Sequence, residues 1–200
     1  VITVHPSLPP TTAKELVAYA QQRPGTLAYS SAGTGSTPHI AGEMFRFQTG
    51  VSMIHVPYKG SGQSVQDAIA GIIHVAFDTV PTVQGHVKVG RLRPLAIMGP
   101  SRVSMMPEVP TVAEAGIPGA EGLTWYGLYA PGGLAEPLLQ RIYAEALRVL
   151  RAPDIRARMS QMGMAETDTF ETPQELSINV KTEVNRVTGV VKAAGIKADL

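Results

Sequence analysis

The chain has 200 residues, 44% hydrophobic and 16% charged, which is long enough to bury a sizeable core and too apolar for a disordered segment. Its 17 basic and 16 acidic residues leave a net charge of +1, so the electrostatic footprint of a nucleic-acid binder is missing. With no cysteine there is neither a disulfide framework nor thiolate chemistry, and no apolar run reaches membrane-spanning length.

Val1 to His5 reads as a strand, closed by Pro6 and the Pro9-Pro10 pair. Thr12 and Glu15 form a capping box for a helix that stops at Pro24-Gly25. Leu27 to Ser30 is a strand, and a helix with Ile40, Met44, Phe45 and Phe47 on one face follows to Gly50. The pattern then repeats: strand Val51 to Val56 and a helix to Gly71, strand Ile72 to Phe77 and a helix to Gly90, strand Leu95 to Met98. Such alternation predicts an α/β fold with a parallel sheet. Beyond a loop from Pro100 to Pro110, Thr111 to Glu114 caps a short helix. Leu123 to Ala130 reads as a strand, Glu136 to Leu150 as a long amphipathic helix, and Asp154 to Met162 as another. A strand from Met164 to Thr169 and a capping box at Thr172 to Glu175, opening a last helix to Ala194, complete the chain.

The stretch from Tyr29 to Ile40 organises the rest. A strand runs into Ser31-Ala32-Gly33-Thr34-Gly35-Ser36 and then into a helix whose first turn holds Pro38, with Ser36 or Thr37 as N-cap. A helix start offers unpaired amides beside a partial positive charge, and glycines allow close approach, so a carboxylate or phosphate is the natural partner. The alternative is an ordinary turn that caps itself. Two further strands empty into small polar residues, Tyr58 to Gly62 and Asp78-Thr79. In an open parallel sheet these three loops share the ligand-binding edge.

Around that rim, His39 is either a donor toward a ligand or a structural histidine. Its i,i+4 spacing to Glu43 matches ordinary surface electrostatics. Lys59 either faces a ligand carboxylate or is solvated. Asp78 either accepts a ligand hydroxyl or ammonium or caps the following helix, and Trp125 floors a cleft or packs between lobes. His55 and His74 read as sheet-face residues. The histidine spacings suit no metal site. A hydrolase or transferase using His39 and a nearby serine is the alternative function, although no Gly-x-Ser-x-Gly elbow occurs.

Tyr29 to His39, His55-Val-Pro-Tyr-Lys-Gly60, Phe77 to Pro81, Pro107 to Gly116, Thr124 to Pro131 and Val191 to Ile196 together resemble the Bug family. These are the periplasmic solute receptors of tripartite tricarboxylate transporters. The resemblance implies a periplasmic-binding-protein-like clamp of type II, with a parallel-sheet core in each lobe. It implies a non-enzymatic receptor, without cofactor or metal, that captures a small carboxylate or related solute and passes it to membrane permease subunits. By motif, the ligand falls to Ser31, Ala32, Gly33, Thr34, Gly35, Ser36 and His39, and further to Lys59, Gly60, Asp78 and Thr79. Relatives begin with an additional segment that has no counterpart here. Residues 1–124 are therefore expected to be the second lobe, and 125–200 the crossing strand and helical remainder of an incomplete first lobe. With the stripe from Leu138 to Leu150 uncovered, the chain is expected to dimerise, swap an element or bind ligand poorly.

Overall fold

A computed structural model describes residues 1–122, 125–164 and 171–196. Five strands form one sheet: β1 (Ile2–Val4), β2 (Ala28–Ser31), β3 (Ile54–Pro57), β4 (Val75–Phe77) and β5 (Arg93–Ala96), in the order β3-β2-β4-β1-β5. β2 pairs in parallel with β3 and β4, as βαβ units require. The sheet is mixed, because β1 lies antiparallel between β4 and β5. The expected parallel arrangement therefore holds for β2 to β5, and β1 runs against them.

Four helices cover this sheet: α1 (Ala13–Gln21), α2 (Thr37–Thr49), α3 (Ser61–Ile69) and α4 (Val80–Lys88). The two-residue period of a strand sends alternate side chains to opposite faces. On β4, Val75 and Phe77 enter a cluster with Leu16, Tyr29 and Phe45, whereas Ala76 joins Val65, Val83 and Leu92 on the other side. Each sheet face is thus sealed by one pair of helices, and the carboxyl ends of β2, β3 and β4 emerge together.

Some predicted elements change form. Thr12 caps α1 through its hydroxyl, but Glu15 reaches Thr11 instead of closing the box on Thr12. Thr111 and Glu114 do bond reciprocally, yet the segment makes only turns before Gly116, so the expected short helix is absent. Residues 125–130 are irregular and exposed instead of forming a strand, because no sheet edge among the described residues receives them. Positions 123 and 124, and residues 165–169 of the expected strand at Met164 to Thr169, lie outside the described residues.

Three more helices follow: α5 (Glu136–Leu150), α6 (Pro153–Gln161) and α7 (Pro173–Ala193). The predicted capping box opens α7, with Thr172 and Glu175 bonding reciprocally. α7 returns to α2, where Arg186 donates through Nη1 to the Glu121 carbonyl at 2.8 Å and to the Met44 sulfur, and pairs with Glu183 through Nε and Nη2. α5 buries none of its residues; Leu138 is 48% exposed.

Candidate functional site

The turn after β2 is shaped by two glycines that no other residue replaces without strain. Gly33 has φ +137°, and a Cβ there would lie 3.1 Å from the Tyr58 carbonyl; Gly35 has φ +75°. Ser36 is the N-cap of α2, accepting from the His39 amide at 3.4 Å and donating to the Gly33 carbonyl at 2.7 Å. Pro38 occupies the first turn, where its missing N–H costs nothing.

Several amides of this turn are engaged internally. Gly33 N–H donates to Ser31 Oγ at 3.2 Å, Gly35 N–H to His39 Nδ1 at 3.0 Å, and Ser36 N–H to the Gly33 carbonyl at 3.1 Å. The amides of Thr34 and Thr37 meet no acceptor among the described residues, and both residues are exposed. They sit at the positive end of α2, next to the half-buried Ala32 and Ser36.

The other two loops meet this one. Gly33 abuts the Tyr58 carbonyl, and Ser61, at the start of α3, donates to Asp78 Oδ1 at 3.0 Å. Lys59 is exposed beside Gly60, the N-cap of α3 at φ +124°. Asp78 is buried; Oδ1 also accepts from the Thr79 amide at 2.7 Å, while Oδ2 has no partner among the described residues. Burial pushes its carboxyl above the usual aspartate range, with the bonds from Thr79 and Ser61 opposing the shift. Thr79 is exposed at the start of α4, its hydroxyl 2.7 Å from that of Thr82. The three loops therefore form one continuous rim. Trp125 lies in a groove of about 370 Å³ between α2 and α7 that adjoins the rim, its wall including Gly35, Thr37, Met44 and Arg186.

Beneath the turn lies a layer of rings that local sequence pattern did not disclose. His39 and His55 stack face to face, centroids 3.7 Å apart and planes 6° from parallel, and His55 stacks in turn on Tyr29 at 4.9 Å. Parallel register sets Tyr29 opposite His55, so adjacent strands alone predict that contact. Ser31 Oγ pairs with His55 Nε2 at 2.7 Å. Glu43, expected on the surface, is buried: it accepts from the Tyr29 hydroxyl and from Arg46 at 2.6 Å, with His39 Nε2 4.0 Å away. Burial lowers the pKa of both histidines; for His55, where the neighbouring His39 adds to the effect, the value falls to about 4. His74 accepts from the Ala28 amide through Nδ1.

Ser31 and His55 have the spacing of a nucleophile and its base, but Ser31 is fully buried and already accepts from Gly33. His39, named for the hydrolase alternative, spends Nδ1 on Gly35. Among the described residues no three metal-ligating side chains converge, and no helix is long and apolar enough to cross a membrane.

An α/β sheet whose parallel strands deliver glycine-and-hydroxyl loops to one edge has the fold of the periplasmic-binding-protein class. Residues 1–196 match the family described as tripartite tricarboxylate transporter family receptor, and the chain belongs to that family. BugT of Bordetella pertussis is 30% identical over 197 residues, covering 98% of this chain and 60% of BugT. Among solved structures, Rpa4515 of R. palustris, determined with adipate, superposes with a TM-score of 0.80 at 34% identity, over 98% of this chain and 65% of that one. MatC from Rhodopseudomonas palustris, with bound malate, gives 0.75 at 26% identity, over 96% and 65%. The chain spans between 51% and 60% of the length of the first three curated relatives it matches. The family's receptors do not support the hydrolase alternative.

Proposed function

We propose that this chain forms a ligand-gripping lobe of an extracytoplasmic receptor that captures a small carboxylate for a tripartite transporter with membrane subunits, and that it catalyses no reaction. The observation that carries this reading is the open turn from Ser31 to Ser36. The exposed Thr34 and Thr37 amides point to capture of a negative group at the start of α2. Ala32, Gly33, Gly35 and Ser36 shape that seat, and Lys59, Gly60, Asp78 and Thr79 border it on the adjoining loops. Binding of adipate by one relative and malate by another supports a dicarboxylate-sized solute.

We assign residues 1–124 to this lobe and 125–200 to a unit that packs against further chain in the full receptor. The exposed Tyr126, Leu128, Leu138 and Ile142 fit such a role, and in isolation they favour self-association. Titration calorimetry with adipate, malate and a neutral diamide, on this chain and on the longest form its gene encodes, tests the function. Saturable binding of the acids by the longer form, with weaker binding by this chain and turnover by neither, is expected; equal binding of the diamide, or hydrolysis of an ester, would overturn it. Light scattering tests the second point, with mass rising with concentration as the expected result.

A further inference from the structure

The ring layer under the turn suggests a division of labour within the proposed site. His39 is only 4% exposed, its face is covered by His55, and Nδ1 accepts from the Gly35 amide. His55 holds the other shoulder of the same turn through Ser31. His39 has no surface left for a ligand, and the half-buried His55 has both ring faces covered, by His39 and Tyr29. We propose that His39 and His55 are positioning residues, a neutral stacked pair that holds the turn from beneath in the shape that presents the Thr34 and Thr37 amides, and that they touch no ligand themselves.

This inference rests on the carboxylate-receptor reading and adds to it a condition on protonation. An Nδ1 that accepts from an amide must be unprotonated; a proton there would put two donors face to face. Two imidazoliums 3.7 Å apart would also repel. The charged and titratable groups around the pair are Tyr29 from β2 and Glu43 and Arg46 from α2. Glu43, already bonded to Tyr29 and Arg46, lies 4.0 Å from His39 and so offers a protonated ring only a weak counter-ion. Desolvation of both rings works in the same direction.

The test uses His39→Ala, which removes the acceptor, and His39→Asn, whose side-chain oxygen lies close to the Nδ1 position. Two quantities are read on the longest form the gene encodes: hydrogen exchange at the Gly35 amide without ligand, and affinity for malate and adipate between pH 7 and pH 4. His39→Ala is expected to speed Gly35 exchange and weaken both acids by about tenfold, the scale of one buried hydrogen bond. His39→Asn should recover most of both losses, with an affinity that falls less steeply on acidification than that of the native chain. Thermal melts establish that each variant is folded. The proposal is overturned if His39→Ala leaves exchange and affinity unchanged. It is equally overturned if His39→Asn restores the Gly35 amide without restoring affinity, since the ring would then contact the ligand. If no form binds either acid, the receptor reading fails, and unchanged Gly35 exchange in His39→Ala would separately overturn the holding role.

Discussion

Gly42→Ala offers a sharp test of how the ring layer is packed. Gly42 lies within α2, where exchanging glycine for alanine normally gains up to about 1 kcal/mol. Here the added Cβ would sit 2.5 Å from Tyr29 Cε2 and 3.0 Å from Cδ2, roughly an ångström inside ordinary contact. Tyr29 has little room to move. It is fully buried, its hydroxyl is held by Glu43, its ring stacks on His55, and its edge meets Phe77 at 5.4 Å. Overpacking of this kind costs about 1–3 kcal/mol, so the net effect is a loss of roughly 1–2 kcal/mol. For a chain of this size that corresponds to a melting temperature lower by roughly 3–6 °C. Gly85, in α4, provides the control, since a Cβ there meets nothing within 4 Å. Gly85→Ala should gain up to about 1 kcal/mol by the same helix term. Thermal and urea melts of both variants decide the matter. If Gly42→Ala is as stable as the native chain, or shifts in the same direction as Gly85→Ala, the close packing of Tyr29 is wrong.

Acid should destabilise the chain through the histidine pair. The folded pKa of His55 is depressed to about 4 against 6.5 unfolded, so its contribution is complete above about 6.5 and is lost as pH falls from there toward 4. The full shift corresponds to about 3 kcal/mol, and partial exposure of the ring reduces this to about 1–2 kcal/mol. Urea midpoints at pH 7 and pH 4.5 measure it, and a midpoint that rises on acidification would contradict the sign. Arg186→Ala should loosen α7 from the part of the chain it packs on by removing the bonds to the Glu121 carbonyl and to the Met44 sulfur of α2, a loss of about 1–3 kcal/mol read as faster hydrogen exchange along α7 with the sheet unaffected. Ser36→Ala removes the cap of α2 and should cost about 1 kcal/mol together with some carboxylate affinity; unchanged stability would mean the cap bond at 3.4 Å contributes nothing.

The parts of this fold that were legible in the sequence are those fixed by near neighbours. Gly33, Gly35, Ser36 and Pro38 specify a turn and a helix start within eight residues, and Thr172 with Glu175 specify another. β1 was placed as a strand but not in its direction, because Ile-Thr-Val is equally apolar in either orientation and the antiparallel choice depends on where the chain enters. The aromatic run from Trp125 to Tyr129 has strand-like residues, yet a strand needs a neighbour, and none among the described residues supplies one. Thr111 and Glu114 show the converse case, in which a genuine capping pair is followed by too few residues for a helix. Glu43 was misjudged because i,i+4 spacing does not say which face of α2 turns inward. That face is set by Tyr29, fourteen residues earlier.

The same facts bear on how strongly this lobe can hold a ligand by itself. A carboxylate resting on two amides at an exposed helix end remains largely hydrated, and in that dielectric the attraction amounts to about 1 kcal/mol at contact distance. Even millimolar affinity requires about 4 kcal/mol, so the rim alone falls short. What raises the yield of each hydrogen bond is exclusion of water, and this needs a second surface facing the turn. On the proposed reading such a surface attaches where the residues from Trp125 to Tyr129 and the outward side of α5 are apolar and uncovered, the sheet beneath the turn being already sealed on both faces. Rigidity and affinity are thus divided in this design. On the same proposed reading the histidine layer and its glutamate hold the amides with or without a ligand, and further chain of the full receptor closes over that fixed geometry to give binding. Malate affinity should therefore rise by at least about tenfold from this chain to the longest form its gene encodes, while Gly35 exchange stays the same in both; a parallel change in the two would mean that the turn is made by closure and not by the rings below it.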